Sequence, residues 1–229
     1  MSISPAEKTD YVGLATTGLE LRSNSLGKSG TYLKKNKADG SIGASLLFGE
    51  IAAPSCDYVI TGTVTPTGWA LGKVHGSGSV PYALQSVTIS TSAGGEPTVS
   101  ANAVQIEAGA TATACTYPIP SITLSPEFHA QNFGAFSFTA SETLDLQDNS
   151  LTISADIAPV TINGEPKASD AVGGEAVASC TFWSASETTA PAVTPGEGWE
   201  LSAPWTCTGN DGDLFTWTAS FSKKLSTAA

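Results

Sequence analysis

The chain reads as an all-β protein, an antiparallel β-sandwich or barrel, on three observations. Helical periodicity is nearly absent. Apolar and hydroxyl residues alternate with period two in several stretches, and Gly-, Asn- and Asp-containing turns interrupt the chain at short intervals. At 229 residues, 41% hydrophobic and 14% charged, it can build a real core as one large β-domain or two small ones.

The elements follow in order. Leu19 to Gly40 lacks a continuous apolar stripe and carries Arg22, Lys28, Lys34, Lys35 and Lys37. Residues 1–43 are therefore expected to form an extended basic arm, or an edge strand that its lysines guard against rogue pairing. The remainder, 44–229, is the expected sandwich body. Strands are predicted over 44–51, 56–64, 82–91, 98–106, 110–118, 175–184 and 199–208. Three further stripes are plain: Phe136, Phe138 and Ala140; Leu151, Ile153, Ala155 and Ile157; and Phe215, Trp217, Ala219 and Phe221. Each alternates with small polar side chains, as in an antiparallel sheet with one buried face. Turns are predicted at Asp39-Gly40, Pro66-Thr67-Gly68, Gly94-Gly95, Asp148-Asn149, Asn163-Gly164, Gly173-Gly174 and Asn210-Asp211-Gly212.

A weak internal repetition suggests two related β-units in tandem, over 84–144 and 151–225. Val87-Thr88-Ile89, Gly95-Glu96-Pro97, Ala114-Cys115-Thr116-Tyr117 and Phe136 to Ser141 return as Val160-Thr161-Ile162, Gly164-Glu165-Pro166, Ser179-Cys180-Thr181-Phe182 and Phe215 to Ser220. Pro54-Ser55-Cys56-Asp57-Tyr58 reads as the remnant of a third copy.

Charge is unevenly spread. Residues 74–222 hold fifteen acidic side chains and one basic one, Lys167, whereas 1–73 hold seven basic and six acidic. A net charge of −11 argues against nucleic acid held by phosphate neutralisation, because the cations for it are missing. A basic strip on an acidic body suits docking between copies of the chain, and equally suits two solvated faces of an ordinary domain. No apolar h-region opens the sequence and no apolar run reaches a bilayer span, so neither a signal peptide nor a transmembrane segment is expected.

Chemistry is sparsely represented. Cys56, Cys115, Cys180 and Cys207 are far apart and without a CxxC pair, so reduced strand cysteines are expected rather than a disulfide scaffold or a zinc site. His75 and His129 stand in no catalytic motif and read as loop residues. Gly27-Lys28-Ser29 lacks the upstream glycine of a phosphate loop, since Arg22 occupies that place. The acidic pairs Asp145/Asp148 and Asp211/Asp213 are expected in turns. No catalytic residue, cofactor or metal is predicted. Among the tryptophans, Trp217 belongs to a core stripe, while Trp69, Trp183, Trp199 and Trp205 are the candidates for ligand contact if the protein is a surface adhesin or a carbohydrate-binding module.

The segment from Leu19 to Ser45, a strand, a lysine-bearing stretch, a turn at Asp39-Gly40 and a Ser/Ala-rich strand, resembles bacteriophage virion β-proteins, tail tube proteins in particular. The resemblance covers about the first sixty residues, and the acidic, Ser/Thr/Ala-rich remainder agrees in texture. It implies a homo-oligomeric virion subunit, assembled in the host cytoplasm, that stacks as rings through arms and loops together with other virion proteins. It also implies an acidic lumen along which DNA slides. Tail tube proteins usually carry a helix beside the barrel, a feature for which this sequence shows no signal. Arg22, Lys28, Lys34, Lys35 and Lys37 are then the candidate subunit contacts.

Overall fold

The computed structural model describes residues 8–37, 42–163, 165–212 and 214–228. It is all-β, with no helix among those residues. Twelve strands form an eight-stranded antiparallel sheet and two small two-stranded sheets. The large sheet contains β1 (Leu19–Asn36), β2 (Ile42–Ile60), β4 (Tyr82–Ser92), β5 (Thr98–Gln105), β8 (Leu144–Ile162), β9 (Glu165–Ser184), β11 (Glu200–Asp211) and β12 (Leu214–Lys224). Its order is β1-β2-β5-β4-β8-β9-β12-β11, leaving β1 and β11 as the edges. The small sheets pair β3 (Ala70–Lys73) with β6 (Ala112–Pro118), and β7 (Phe136–Ser137) with β10 (Thr194–Pro195).

One face of the sheet carries the apolar stripes and the other carries hydroxyls. Val87, Ile89, Val99, Leu151, Ile153 and Phe182 are fully buried, with Phe221 and Trp217 close behind. Sheet β3–β6 covers part of this face, β6 against β9 and β3 against β4. Phe136 of β7 stacks on Phe182 and Phe221, with ring centroids 5.6 and 5.2 Å away. The other face shows cross-strand hydroxyl pairs, Ser25 with Ser55 at 2.7 Å, Thr88 with Thr152 at 3.1 Å and Ser179 with Ser220 at 3.2 Å.

Several predicted elements change identity. The stretches 44–51 and 56–64 form one strand, β2, ending at Ile60. Asp148-Asn149 is the interior of β8, so neither Asp145 nor Asp148 lies in a turn. Asn149 is tolerated mid-strand because its buried side chain donates to the Gln131 carbonyl at 2.6 Å. Gly173-Gly174 also lies within a strand, at the irregularity where β9 shifts register between Ser154 and Asp156 of β8. Gly173 takes φ +68°, and a Cβ on Gly174 would collide with the Tyr117 ring that packs there. The predicted strand around Phe136–Ala140 shrinks to the two residues of β7. The turns at 66–68 and 94–95 fall between strands as expected, whereas Asn210 and Asp211 are the last residues of β11, paired with Phe215 and Leu214, and only Gly212 of that predicted turn lies beyond the strand. Asp39-Gly40 and Asp213 lie outside the described residues.

The sheet repeats its own plan. In the first half the order is β1-β2-β5-β4 and in the second β8-β9-β12-β11. Each is a long hairpin whose second strand pairs with the last strand of a shorter hairpin. Residue rows coincide as well. Asn24–Cys56–Ala101 runs across β1, β2 and β5, and Asn149–Cys180–Ala219 across β8, β9 and β12. Leu21–Tyr58–Val99 is matched by Leu146–Phe182–Trp217. The first strand of each half shifts register at the same place, at Arg22 and at Gln147. The second hairpins share a shift too, between Leu84 and Ser86 and between Leu201 and Ala203. Ahead of each first strand stands the same bridge, Thr16–Leu19 and Ser141–Leu144. Both asparagines pin the segment preceding their strand, Asn24 through the Thr9 carbonyl and Asn149 through that of Gln131.

This frame differs from the repetition read at 84–144 and 151–225. That repetition matches Cys115 to Cys180, but Cys115 lies in β6 of a small sheet, whereas the residue that holds the place of Cys180 in the first half is Cys56. The same holds for Val87-Thr88-Ile89 and Val160-Thr161-Ile162: the first is central β4 and the second the far end of β8.

Candidate functional site

The features most open to function are the two edges of the large sheet and its hydroxyl face. Edge β1 spans 18 residues and edge β11 spans 12, and each is paired on one side alone among the described residues. Long unpaired edges present rows of free N–H and C=O groups that natural proteins cover, charge or pair. Of the arm and the edge strand expected over 1–43, Leu19–Asn36 is an edge strand paired along its length with β2, and residue 43 lies inside β2.

Two of its cations are engaged within the chain. Arg22 pairs with Glu96 at 2.8 Å and Lys28 with Glu50 at 2.6 Å. Lys37 is exposed, and the side chains of Lys34 and Lys35 lie outside the described residues. The predicted contact set therefore divides, with Arg22 and Lys28 neutralised locally.

On the hydroxyl face each half carries a short polar ladder. Asp57 accepts from Ser23 and Ser100, both at 2.7 Å. These two bonds hold its carboxyl below the usual range. In the matching row of the second half the carboxylate has moved to the first strand, giving Asp148–Thr181–Thr218. Glu20 and Asp145 occupy equivalent positions one row away. The face is thus lined by hydroxyls and acids over both halves.

The tryptophans do not assemble one ligand surface. Trp199 is buried at 8% exposure, and Trp205 packs among Phe182, Trp217 and Phe221 at 5.8–6.4 Å between ring centroids. Trp69 leans on the core beside β3, and Trp183 is half-buried on the hydroxyl face between Asp145 and Thr216. An open groove of ≈ 470 Å³ is lined by Ile122, His129, Gln131, Phe133, Phe138 and Leu146, with no tryptophan along it.

All four cysteines are unpaired. Burial pushes the Cys180 thiol up to about 11 and raises Cys56, while the charge of Asp170 raises Cys115. Raised thiols stay protonated near neutral pH and are poor nucleophiles. His129 pairs with Glu127 at 3.1 Å on the surface. Among the described residues, no three His, Cys, Asp or Glu side chains gather as a metal ion requires. No described helix is long and apolar enough to cross a membrane.

His75 lies in a loop, as expected, but not as a freely exposed side chain. Its ring is half-buried, with Nε2 3.3 Å from the Ala70 carbonyl oxygen. Burial lowers its pKa, a contact with the Ala70 backbone opposes that, and the Lys73 charge adds to it. The unfolded chain therefore binds this proton more readily than the folded one, and stability falls as pH drops below about 6.5. The melting temperature of His75→Gln is expected to decline less on acidification through that range than the parent's. Equal slopes would show that His75 makes no contribution.

No protein-family model matches this chain, and no curated protein is significantly similar to it in sequence.

Proposed function

We propose that this protein is a non-enzymatic structural subunit that assembles with copies of itself, of the phage tail tube or related virion kind. The observation that carries the reading is the pair of long open edges, β1 and β11, at opposite ends of one antiparallel sheet. A sheet open at both ends extends by adding another sheet, and a continuing series of sheets that curves on itself becomes a ring.

Two further features suit a stacked tube. The long hairpins of both halves run beyond the strands that flank them. Strand β2 pairs with β5 over Ser55–Val59 alone, while β1–β2 pairing continues to Asn36. Strands β8 and β9 continue past Asp156 and Val172, where each pairs with the other. Val160, Ile162 and Val172 on that extension are 45–55% exposed, a protruding apolar surface of the kind buried between layers. The hydroxyl face, with acids in both halves, suits a lumen that repels a polyanion and lets it pass.

Purified protein is expected to form rings or short tubes in negative stain, and a species several times the monomer mass in sedimentation velocity. Contacts through Lys37 and its neighbours Lys34 and Lys35 should weaken as salt rises toward about 1 M, where the Debye length falls to about 3 Å. A chain that stays monomeric at every concentration and salt would overturn the reading.

A further inference from the structure

The repeated plan of the sheet contains a joint between its two halves, and that joint has an unfilled counterpart. Within the chain, β4, the last strand of the first half, pairs antiparallel with β8, the first strand of the second. By the same plan β11 is the counterpart of β4, and β1 the counterpart of β8. We infer that β11 of one copy pairs antiparallel with β1 of a second copy, in the register that β4 and β8 use inside the chain. This inference rests on the reading of the protein as a self-assembling subunit and specifies which surfaces meet.

Burial supports it independently of the strand order. Leu151 of β8 is fully buried, and its counterpart on the free edge, Leu26, is 37% exposed. Leu84 of β4 is fully buried, and its counterpart Leu201 is 44% exposed. Ile89, opposite Leu151 in the internal joint, is fully buried, while its counterpart Cys207 is only partly so. Leu26 and Cys207 thus expose what the internal joint covers at Leu151 and Ile89, while Leu84 lies just beyond the β4–β8 pairing, which begins at Ser86. A second copy supplies the missing cover, whereas a monomer leaves these leucines in water.

The register follows residue by residue. Ile89 faces Leu151 and Ser90 faces Ser150 within the chain. Their counterparts place Cys207 of one copy opposite Leu26 of the second, and Thr208 opposite Ser25. The contact is heterologous: each copy offers one β1 and one β11, so a single contact leaves a free edge on either side and propagates head to tail until a ring closes. In a closed ring, internal and intermolecular joints alternate, and every copy contributes two equivalent four-stranded units. Pseudo-symmetry is then double the number of chains.

The native Cys207 provides the test. Directly opposed residues in an antiparallel pair have Cα atoms about 4.5–5.5 Å apart, within the range a disulfide spans. Full-length Leu26→Cys, assembled and mildly oxidised, is expected to shift from the monomer band to a ladder of covalent multiples on non-reducing gels. Leu26→Cys combined with Cys207→Ser should give no ladder. Neither should Ser25→Cys, whose side chain points to the other face. Assembled particles without the 26–207 ladder, or a ladder that survives Cys207→Ser, overturn the strand pairing and leave self-assembly standing. A protein that is monomeric in sedimentation velocity overturns both.

Discussion

Phe182→Ala is expected to destabilise the fold by about 3–5 kcal/mol, the range for removing a fully buried aromatic ring. Phe182 is fully buried in β9, and its ring meets Phe138 edge-on at 5.0 Å, Phe136 at 5.6 Å and Trp205 at 5.8 Å. Those partners come from different parts of the chain: β7, the segment just after it, and edge strand β11. Their shared contact is what fastens the β7 region onto the large sheet, so the cavity cannot be filled by a single neighbour moving in. Against a total stability of about 5–15 kcal/mol for a domain, the loss is a large fraction. Urea denaturation followed by tryptophan fluorescence checks it, since Trp205 lies in the cluster and reports on the site. A change below about 1 kcal/mol, the scale of ordinary surface substitutions, would show that the aromatic cluster is not where the fold is held. Phe182→Leu, which keeps much of the volume, should lose distinctly less.

The fold class was legible because an antiparallel sheet with one buried face writes itself as alternation. Phe215, Trp217, Ala219 and Phe221 needed no context to be placed on one side of β12. Misreadings arose where a residue had two physical uses. Asn149 after Asp148 looks like a turn, yet a strand accepts a buried asparagine when its amide has a carbonyl to meet. Gly173-Gly174 looks like a turn, yet glycine also serves where a strand bulges beneath an aromatic ring. Trp199 and Trp205, candidates for ligand contact only under the adhesin reading, are placed inward by packing that the sequence does not display.

The repeat was legible in principle from a different pair of segments. Leu19-Glu20-Leu21-Arg22-Ser23-Asn24-Ser25-Leu26 aligns with Leu144-Asp145-Leu146-Gln147-Asp148-Asn149-Ser150-Leu151, sharing three leucines, the asparagine and the serine that follows it. Ser55-Cys56-Asp57-Tyr58 aligns with Ser179-Cys180-Thr181-Phe182, so the supposed remnant of a third copy belongs to the first. Matches built on Val-Thr-Ile or Phe-Ser-Phe carry less frame information, because any amphipathic strand produces them. The basic segment drew attention for its charge, whereas its informative residues are Leu26 and Asn24. What no single-chain pattern displays is that Arg22 and Lys28 find their acids at home, on Glu96 and Glu50.

Leu151→Ala and Leu26→Ala should differ sharply although the two leucines hold equivalent places in equivalent strands. Leu151 lies under the internal joint, fully buried, and its truncation is expected to cost about 2–5 kcal/mol of folding stability. Leu26 is 37% exposed on the free edge, and in the dissociated subunit its truncation should cost less than about 1 kcal/mol. The strand order, the neighbouring residues and the side chain are alike, so the difference isolates what the adjacent strand provides. Under the proposed self-assembly the comparison should change: Leu26→Ala should weaken association, raising the concentration at which oligomers form, while leaving the melting of the dissociated subunit nearly unaltered. Equilibrium denaturation of both variants, paired with sedimentation of Leu26→Ala across a concentration series, measures each part. If the Leu26→Ala subunit loses as much stability as the Leu151→Ala subunit, edge β1 is already covered within the chain. If it loses little and assembles as readily as the parent, Leu26 has no partner in the particle. Only a small loss in the subunit joined to a clear loss of assembly fits a β1 edge that completes its packing on a neighbouring copy.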